Sequence, residues 1–270
     1  MKKIFIGIII SIFVYCLWAN TAIEINHYTI YNQNLPESFN GYRIAHISDV
    51  HNSNTKNLIP LLIESKPKLI AITGDLIDSR NTNVEIALEF IQEAIKIAPC
   101  YYVTGNHESR VNEYEELRNG LIELGVYVLE NQKIEVLKEQ DKITILGVND
   151  PSFETDYLFG DEESILSNYL EQLKDDNYTI LLSHRPELFD TYVEYNIDLV
   201  LSGHAHGGQF RLPFIGGLVA PNQGLFPQYD AGLFSKDNTN MIVSKGIGNS
   251  IIPLRLNNRP EIIIIELENK

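Results

Sequence analysis

Residues 42–51 read Tyr42-Arg43-Ile44-Ala45-His46-Ile47-Ser48-Asp49-Val50-His51. The first six predict a short strand, and just past its end stand an aspartate and a histidine one residue apart. Alternate side chains of an extended segment point the same way, so Asp49 and His51 present a carboxylate and an imidazole to one side. His46 alternates away from Asp49 and reads as a core histidine. The pattern recurs downstream. Gly74-Asp75 follows a strand-like run at 69–73, Gly105-Asn106-His107-Glu108 one at 101–103, Ser183-His184 one at 179–182, and Gly203-His204-Ala205-His206 one at 199–201. Open α/β sheets build their sites at such strand ends. Five of the seven histidines fall in these clusters, His27 and His46 excepted.

Between the strands lie stretches of helical period, at 57–63, 83–97, 114–124 and 165–173, the second with a wide apolar stripe suited to packing on a sheet. A short strand at 126–129 precedes a hairpin, 134–137 with 143–148, and 241–244 and 262–265 read as closing strands. The alternation predicts a layered α/β domain over 41–270. Residues 212–234 are loop-rich, with Pro, Gly and apolar residues such as Phe214, Leu218, Leu225 and Phe226, which read as core filling under a long connection as well as an apolar substrate surface.

A chain of 270 residues can bury a full core as one domain plus a short appendage, and 44% hydrophobic with 21% charged residues excludes global disorder. The net charge of −15 argues against long nucleic acids, whose affinity comes largely from Lys and Arg. It does not exclude phosphate chemistry, because bound divalent cations supply a local positive field. Cys16 and Cys100 are not expected to pair.

Mixed Asp, His and Asn donors suit Mn, Fe or Zn. In this order Asp-x-His, Gly-Asp, Gly-Asn-His-Glu, a lone His and Gly-His-x-His resemble the five motifs of the calcineurin-like metallophosphoesterases, over residues 44–209. The segments 243–248 and 258–261 further resemble the membrane-associated bacterial branch, which includes a phosphodiesterase and enzymes acting on lipid-linked pyrophosphates. The resemblance implies a four-layer α/β/β/α sandwich and a hydrolase of phosphoester or phosphoanhydride bonds. It makes Asp49, His51 and His206 ligands of one divalent metal, Asn106, His184 and His204 ligands of the other, and Asp75 the bridge. It assigns to His107 the protonation or stabilisation of the leaving oxygen. A hydroxide between the two metals would then attack phosphorus in line. Asp78 and Glu108 read as supporting hydrogen-bond partners or solvated loop charges as readily as catalytic groups, and Arg185, Arg211 and Arg255 as phosphate contacts or ion pairs. A non-catalytic scaffold on the same fold and a nuclease are the alternatives.

Residues 1–23 open with Lys2 and Lys3 and continue with an apolar run, the pattern of a signal peptide or signal anchor. The uncleaved anchor is preferred, with 24–40 as a tether. The positive-inside bias then places the catalytic body outside the cytoplasmic membrane, near a membrane-proximal or lipid-linked phosphoester.

Overall fold

The computed structural model describes residues 5, 7, 14–16, 18–154, 161–249 and 254–270. In chain order these form β1 (Glu24–Tyr31), β2 (Tyr42–Ile47), α1 (Leu58–Ser65), β3 (Leu69–Thr73), α2 (Val84–Ala94), β4 (Cys100–Val103), α3 (Tyr114–Glu123) and β5 (Tyr127–Val128). They continue with β6 (Gln132–Lys138), β7 (Asp141–Gly147), α4 (Glu162–Leu173), β8 (Thr179–Leu182), α5 (Phe189–Glu194) and β9 (Leu199–Ser202). Four two-residue strands follow, β10 (Arg211–Leu212), β11 (Gly216–Gly217), β12 (Val219–Ala220) and β13 (Gly224–Leu225), before β14 (Gly232–Lys236), β15 (Thr239–Val243) and β16 (Glu261–Glu268).

Two sheets of six strands make a mixed α/β sandwich, with orders β1-β16-β2-β3-β4-β5 and β14-β15-β9-β8-β7-β6. Strands β2 to β5 run parallel to one another, as do β7, β8, β9 and β15. The central strands β3, β8 and β9 are buried along their whole length, because side chains on both faces find apolar cover. Ile44, Val103, Ile145, Leu182, Leu199 and Ile263 form the core between the sheets. The opposite faces pack against helices: Ile70 and Ile72 share a cluster with Leu62, Phe90 and Leu117, while Leu181 and Val200 share one with Leu170 and Tyr192. Helix α2 starts where Asn83 accepts from the Ile86 N–H at 3.0 Å, and it buries the expected stripe of Val84, Ala87, Phe90, Ile91 and Ala94.

Parallel strands deliver their C-terminal loops to one edge, and the two sheets bring those loops together. The Asp49 and His51 N–H groups donate to the Gly74 and Asp75 carbonyls at 3.1 and 3.0 Å, and the Gly203 N–H donates to the His184 carbonyl at 3.2 Å. A Cβ on Gly203 would strike Ser48 Oγ and Asp49 Oδ2, so only glycine lets these loops meet.

The N-terminal expectation is corrected. Among the described residues no helix is long and apolar enough to cross a membrane. Most of residues 1–17 lie outside the described ones. The end of the apolar run is docked on the domain: Ala19 is buried, Asn20 exchanges two hydrogen bonds with the Arg255 backbone at 2.7 and 2.9 Å, and the Arg259 guanidinium lies 4.8 Å from the Trp18 ring centre. Neither the single-pass anchor nor the extracytoplasmic placement built on it is supported. Residues 24–31 are likewise not a tether. They pair with β16 over eight residues as the edge strand of the first sheet. Cys16 and Cys100 are both free.

Candidate metal centre

The loop after β2 brings Asp49 and His51, the β3 loop Asp75, the β4 loop Asn106 and His107, the β8 loop His184, and the β9 loop His204 and His206. All are buried except the half-buried His107. Two donor groups share Asp75: Asp49, His51, Asp75 and His206 in one, Asp75, His184 and His204 in the other, each with its donor atoms within 4.8 Å of one another. His206 Nε2 lies 3.2 Å from both Asp49 Oδ1 and His51 Nε2. Asp75 Oδ2 stands 3.5 Å from His51 Nε2 and 3.3 Å from His184 Nε2, and His184 Nε2 is 3.2 Å from His204 Nδ1.

Several features show that this cluster suits cations. His184 Nδ1 lies 2.7 Å from the Thr73 carbonyl, which can only accept, so the proton stays on Nδ1 and Nε2 turns its lone pair to the cluster. Burial would lower the His184 pKa, yet the Asp75 carboxylate 3.3 Å from Nε2 outweighs it and raises the pKa to about 10, a preference for positive charge that a cation bound there would satisfy in place of an Nε2 proton. Burial also opposes ionisation of Asp75, but His184 and His51 hold its carboxyl well below the usual range. The Asn106 amide lies 2.8 Å from His204 Nδ1 and 3.2 Å from the Arg110 guanidinium, partners that suit its nitrogen on the ring side and its oxygen on the guanidinium side. A cation beside His204 favours the oxygen-first orientation, because oxygen and imidazole nitrogen are then both donors to it. Finally, Asp49, His51, Asp75, His204 and His206 all adopt positive φ, between 47° and 66°, a backbone cost that clusters at functional sites.

His107 faces the cavity over these groups. The Ser79 backbone N–H donates to its Nδ1 at 3.0 Å and the Ser79 hydroxyl lies 3.1 Å away. A backbone N–H cannot accept, so Nδ1 is the bare nitrogen and Nε2 carries the proton. Burial lowers its pKa, with Asp75 acting in the opposite direction. A third donor group, His51, Asp78 and His107, lies further out.

Sequence reasoning stayed neutral on Asp78 and Glu108, and both have defined work. Asp78 grips Arg80 with both oxygens, at 2.9 and 2.5 Å. Glu108 is buried and accepts from the Asp75, Leu76, Ile77 and Gly105 N–H groups at 2.9, 2.8, 3.2 and 2.8 Å, tying the β3 loop to the β4 loop. Their adjacency to Asp75 and His107 was the only available signal. Of the three arginines weighed, Arg185 lines the cavity, held by Asp150 at 2.5 and 2.8 Å, with its Nη1 3.4 Å from His204 Nε2. Arg211 pairs with Asp230 at 3.0 Å instead, and Arg255 is buried behind His206, where it donates to the Lys245 and Gly248 carbonyls. Arg80 and Arg110, not singled out from the sequence, also line the cavity.

A sandwich with parallel-rich sheets and two carboxylate-imidazole groups at its strand ends defines a metallophosphoesterase, and the chain belongs to the calcineurin-like phosphoesterase family, whose model matches residues 42–208. It is a hydrolase of phosphoesters. The chain is similar to YkuE of Bacillus subtilis, named a metallophosphoesterase, at 29% identity over 92% of this chain and 86% of that one. It is also similar to the phosphodiesterase YaeI of Escherichia coli, at 28% identity over 84% of this chain and 82% of that one. The solved structure of TT1561 from Thermus thermophilus shares the fold, with a TM-score of 0.53 at 13% identity over 76% of this chain and 90% of that one.

Proposed function

We propose that the chain hydrolyses phosphodiesters with two divalent cations, Mn, Fe or Zn, one held by Asp49, His51, Asp75 and His206 and the other by Asp75, Asn106, His184 and His204. The observation that carries this reading is the sharing of Asp75 by two buried donor groups at the floor of one cavity. Such a pair of cations, when bound, polarises phosphoryl oxygens and brings the pKa of water near neutrality. Asp75 offsets their mutual repulsion, and the Thr73 carbonyl keeps His184 in the tautomer that can ligate. His107 presents its Nε2–H to the phosphoryl or leaving oxygen. An imidazolium there would set Nδ1–H against the Ser79 N–H, so His107 serves as a hydrogen-bond donor rather than as a proton source.

A substrate with an apolar non-reacting part, such as a lipid-linked phosphoester, is favoured by exposed Phe214, Ile215, Leu225 and Phe226 on or beside the short hairpins whose Pro221 and Asn222 line the cavity. The net charge of −15 weighs against a nuclease. Elemental analysis of the purified chain is expected to give about two metals per chain, and bis(p-nitrophenyl) phosphate hydrolysis should stop with chelator and return with metal. Substoichiometric metal and no metal-dependent turnover would return the chain to the non-catalytic scaffold reading. An octyl phosphodiester should also be cleaved with a higher kcat/KM than its methyl counterpart, and equal values would remove the apolar preference.

A further inference from the structure

Arg255 is 1% exposed, the largest side chain so buried among the described residues. Six of the chain's other arginines pair with a carboxylate, but the Arg255 guanidinium is held by backbone: Nη1 donates to the Lys245 carbonyl at 2.7 Å and Nη2 to the Gly248 carbonyl. A guanidinium stays charged at neutral pH, and burying a charge without a counter-ion is costly, so its place here calls for a role.

What it grips is the loop of residues 245–248, which lies against the first donor group. The Gly248 N–H donates to the Asp49 carbonyl at 2.7 Å and the Ile247 N–H to the Ser48 carbonyl at 3.1 Å. A Cβ on Gly246 would fall 2.6 Å from Asp49 Cβ, and one on Gly248 2.8 Å from His51 Cβ, so this loop packs directly on both residues. Their positive φ of 52° and 48° is a conformation that surrounding contacts must hold. His206 meets Arg255 itself: its Nδ1 stands 3.5 Å from Nη2, while its Nε2 turns to Asp49. Among the described residues, no hydrogen bond of Arg255 or of residues 245–248 reaches Asn106, His184 or His204. The Arg255 backbone is fixed in turn by Asn20, whose amide accepts from the Arg255 N–H at 2.7 Å and donates to its carbonyl at 2.9 Å. A run of contacts thus leads from the docked N-terminal segment to three of the four donors of one group. The positive charge of Arg255 opposes a cation there, but two carboxylates, Asp49 and Asp75, belong to that group and outweigh it, so position decides the effect.

Resting on the two-cation reading above, we propose that Arg255 is a positioning residue for the metal held by Asp49, His51, Asp75 and His206, and that Asn20 sets Arg255. The affinity of that one position then depends on the docked N-terminal segment, and the position held by Asp75, Asn106, His184 and His204 does not.

The test is manganese binding to the full, chelator-stripped chain, followed by the EPR signal of free Mn(II). It is run in a His184→Ala chain, which keeps the first group whole, and in a His51→Ala chain, which keeps the second. Arg255→Met is expected to weaken binding at least about tenfold in the former and less than about twofold in the latter. Asn20→Ala should act in the same direction and on the same position, by less, and Arg255→Lys should fall between Arg255→Met and the unaltered residue. If Arg255→Met does not fold, those two variants give the reading. If either single-group chain binds no manganese, the two-step titration of the otherwise wild-type chain decides, with one step weakened and the other kept. Unchanged or tighter binding at the first group, or equal loss at both, would overturn the assignment, because a general loosening spares neither position. The wild type separates the two levels: two bound manganese ions without a selective effect of Arg255 remove only the positioning role, whereas fewer than two remove the two-cation reading beneath it.

Discussion

Asp75 Oδ2 stands between His51 and His184, at 3.5 and 3.3 Å, and no other side chain belongs to both buried donor groups. Asp75→Ala is therefore expected to lower metal content at both positions and to cut turnover at least about tenfold more than His51→Ala or His184→Ala. Near-normal turnover at limiting metal would separate the groups. His107→Ala should retain both metals and lose about 10²- to 10³-fold in kcat, the scale of one preorganised donor; metal loss on elemental analysis would instead make His107 a ligand, through the group with His51 and Asp78. Asp150 gives a test by pH. Burial opposes its ionisation, but Arg185 holds its carboxyl down at about 2, against 3.8 ordinarily. A depressed carboxylate stabilises the fold above its unfolded pKa, and that contribution, about 2 kcal/mol, disappears as pH falls from about 4 to 2. Urea midpoints of the wild type and Asp150→Asn should thus converge over that window, and a constant difference would refute the pairing. The candidate donors were legible because Asp and His alternate at strand ends. Arg80 and Arg110 were not, since they come from two loops with no shared pattern, whereas Arg185, beside His184, had been weighed as a phosphate contact.

At the scale of elements, loops rather than strands make the site, and Glu108 is what fastens two of them. Four N–H groups from the β3 and β4 loops converge on its carboxylate, inside the protein. Glu108→Ala would strand those donors, each worth about 1–3 kcal/mol when buried without a partner. The variant is expected to unfold at markedly lower temperature and to lose metal with it, whereas Glu108→Gln keeps an acceptor and should fall between. A thermal midpoint unchanged in Glu108→Ala would show that the loops hold without it. The closing segment acts on the other side, where the Gly248 and Ile247 N–H groups donate to the Asp49 and Ser48 carbonyls and Asn258 donates to the His206 carbonyl. Strands β2, β3 and β8 fall where the sequence placed them, because buried central strands are written as short apolar runs. The hairpins of β10 to β13 did not declare themselves, since two-residue strands carry no period to read.

For the molecule as a whole, the first sheet begins with a strand that the apolar N-terminus disguised. β1 lies parallel to β16 at the sheet edge, with Ile30 buried in the core between the sheets. Removal of residues 1–31 is expected to bare the β16 edge and to give a chain that is less stable and prone to associate, as seen by urea unfolding and light scattering. A truncated chain that keeps the full-length midpoint would restore the tether. The sequence by itself determined the α/β class, the five clusters and the ligand candidates, because hydrophobic period and residue chemistry are local properties that survive without a fold. Only the tertiary structure decided that Trp18 to Asn20 dock on the domain and that β1 joins the sheet. It alone also showed that Arg255 sits behind the site while Arg80 and Arg110 face it, and that the Ser79 N–H meets Nδ1 of His107. Each of these depends on what a side chain meets across the packed sheets, and no spacing along the chain encodes such partners.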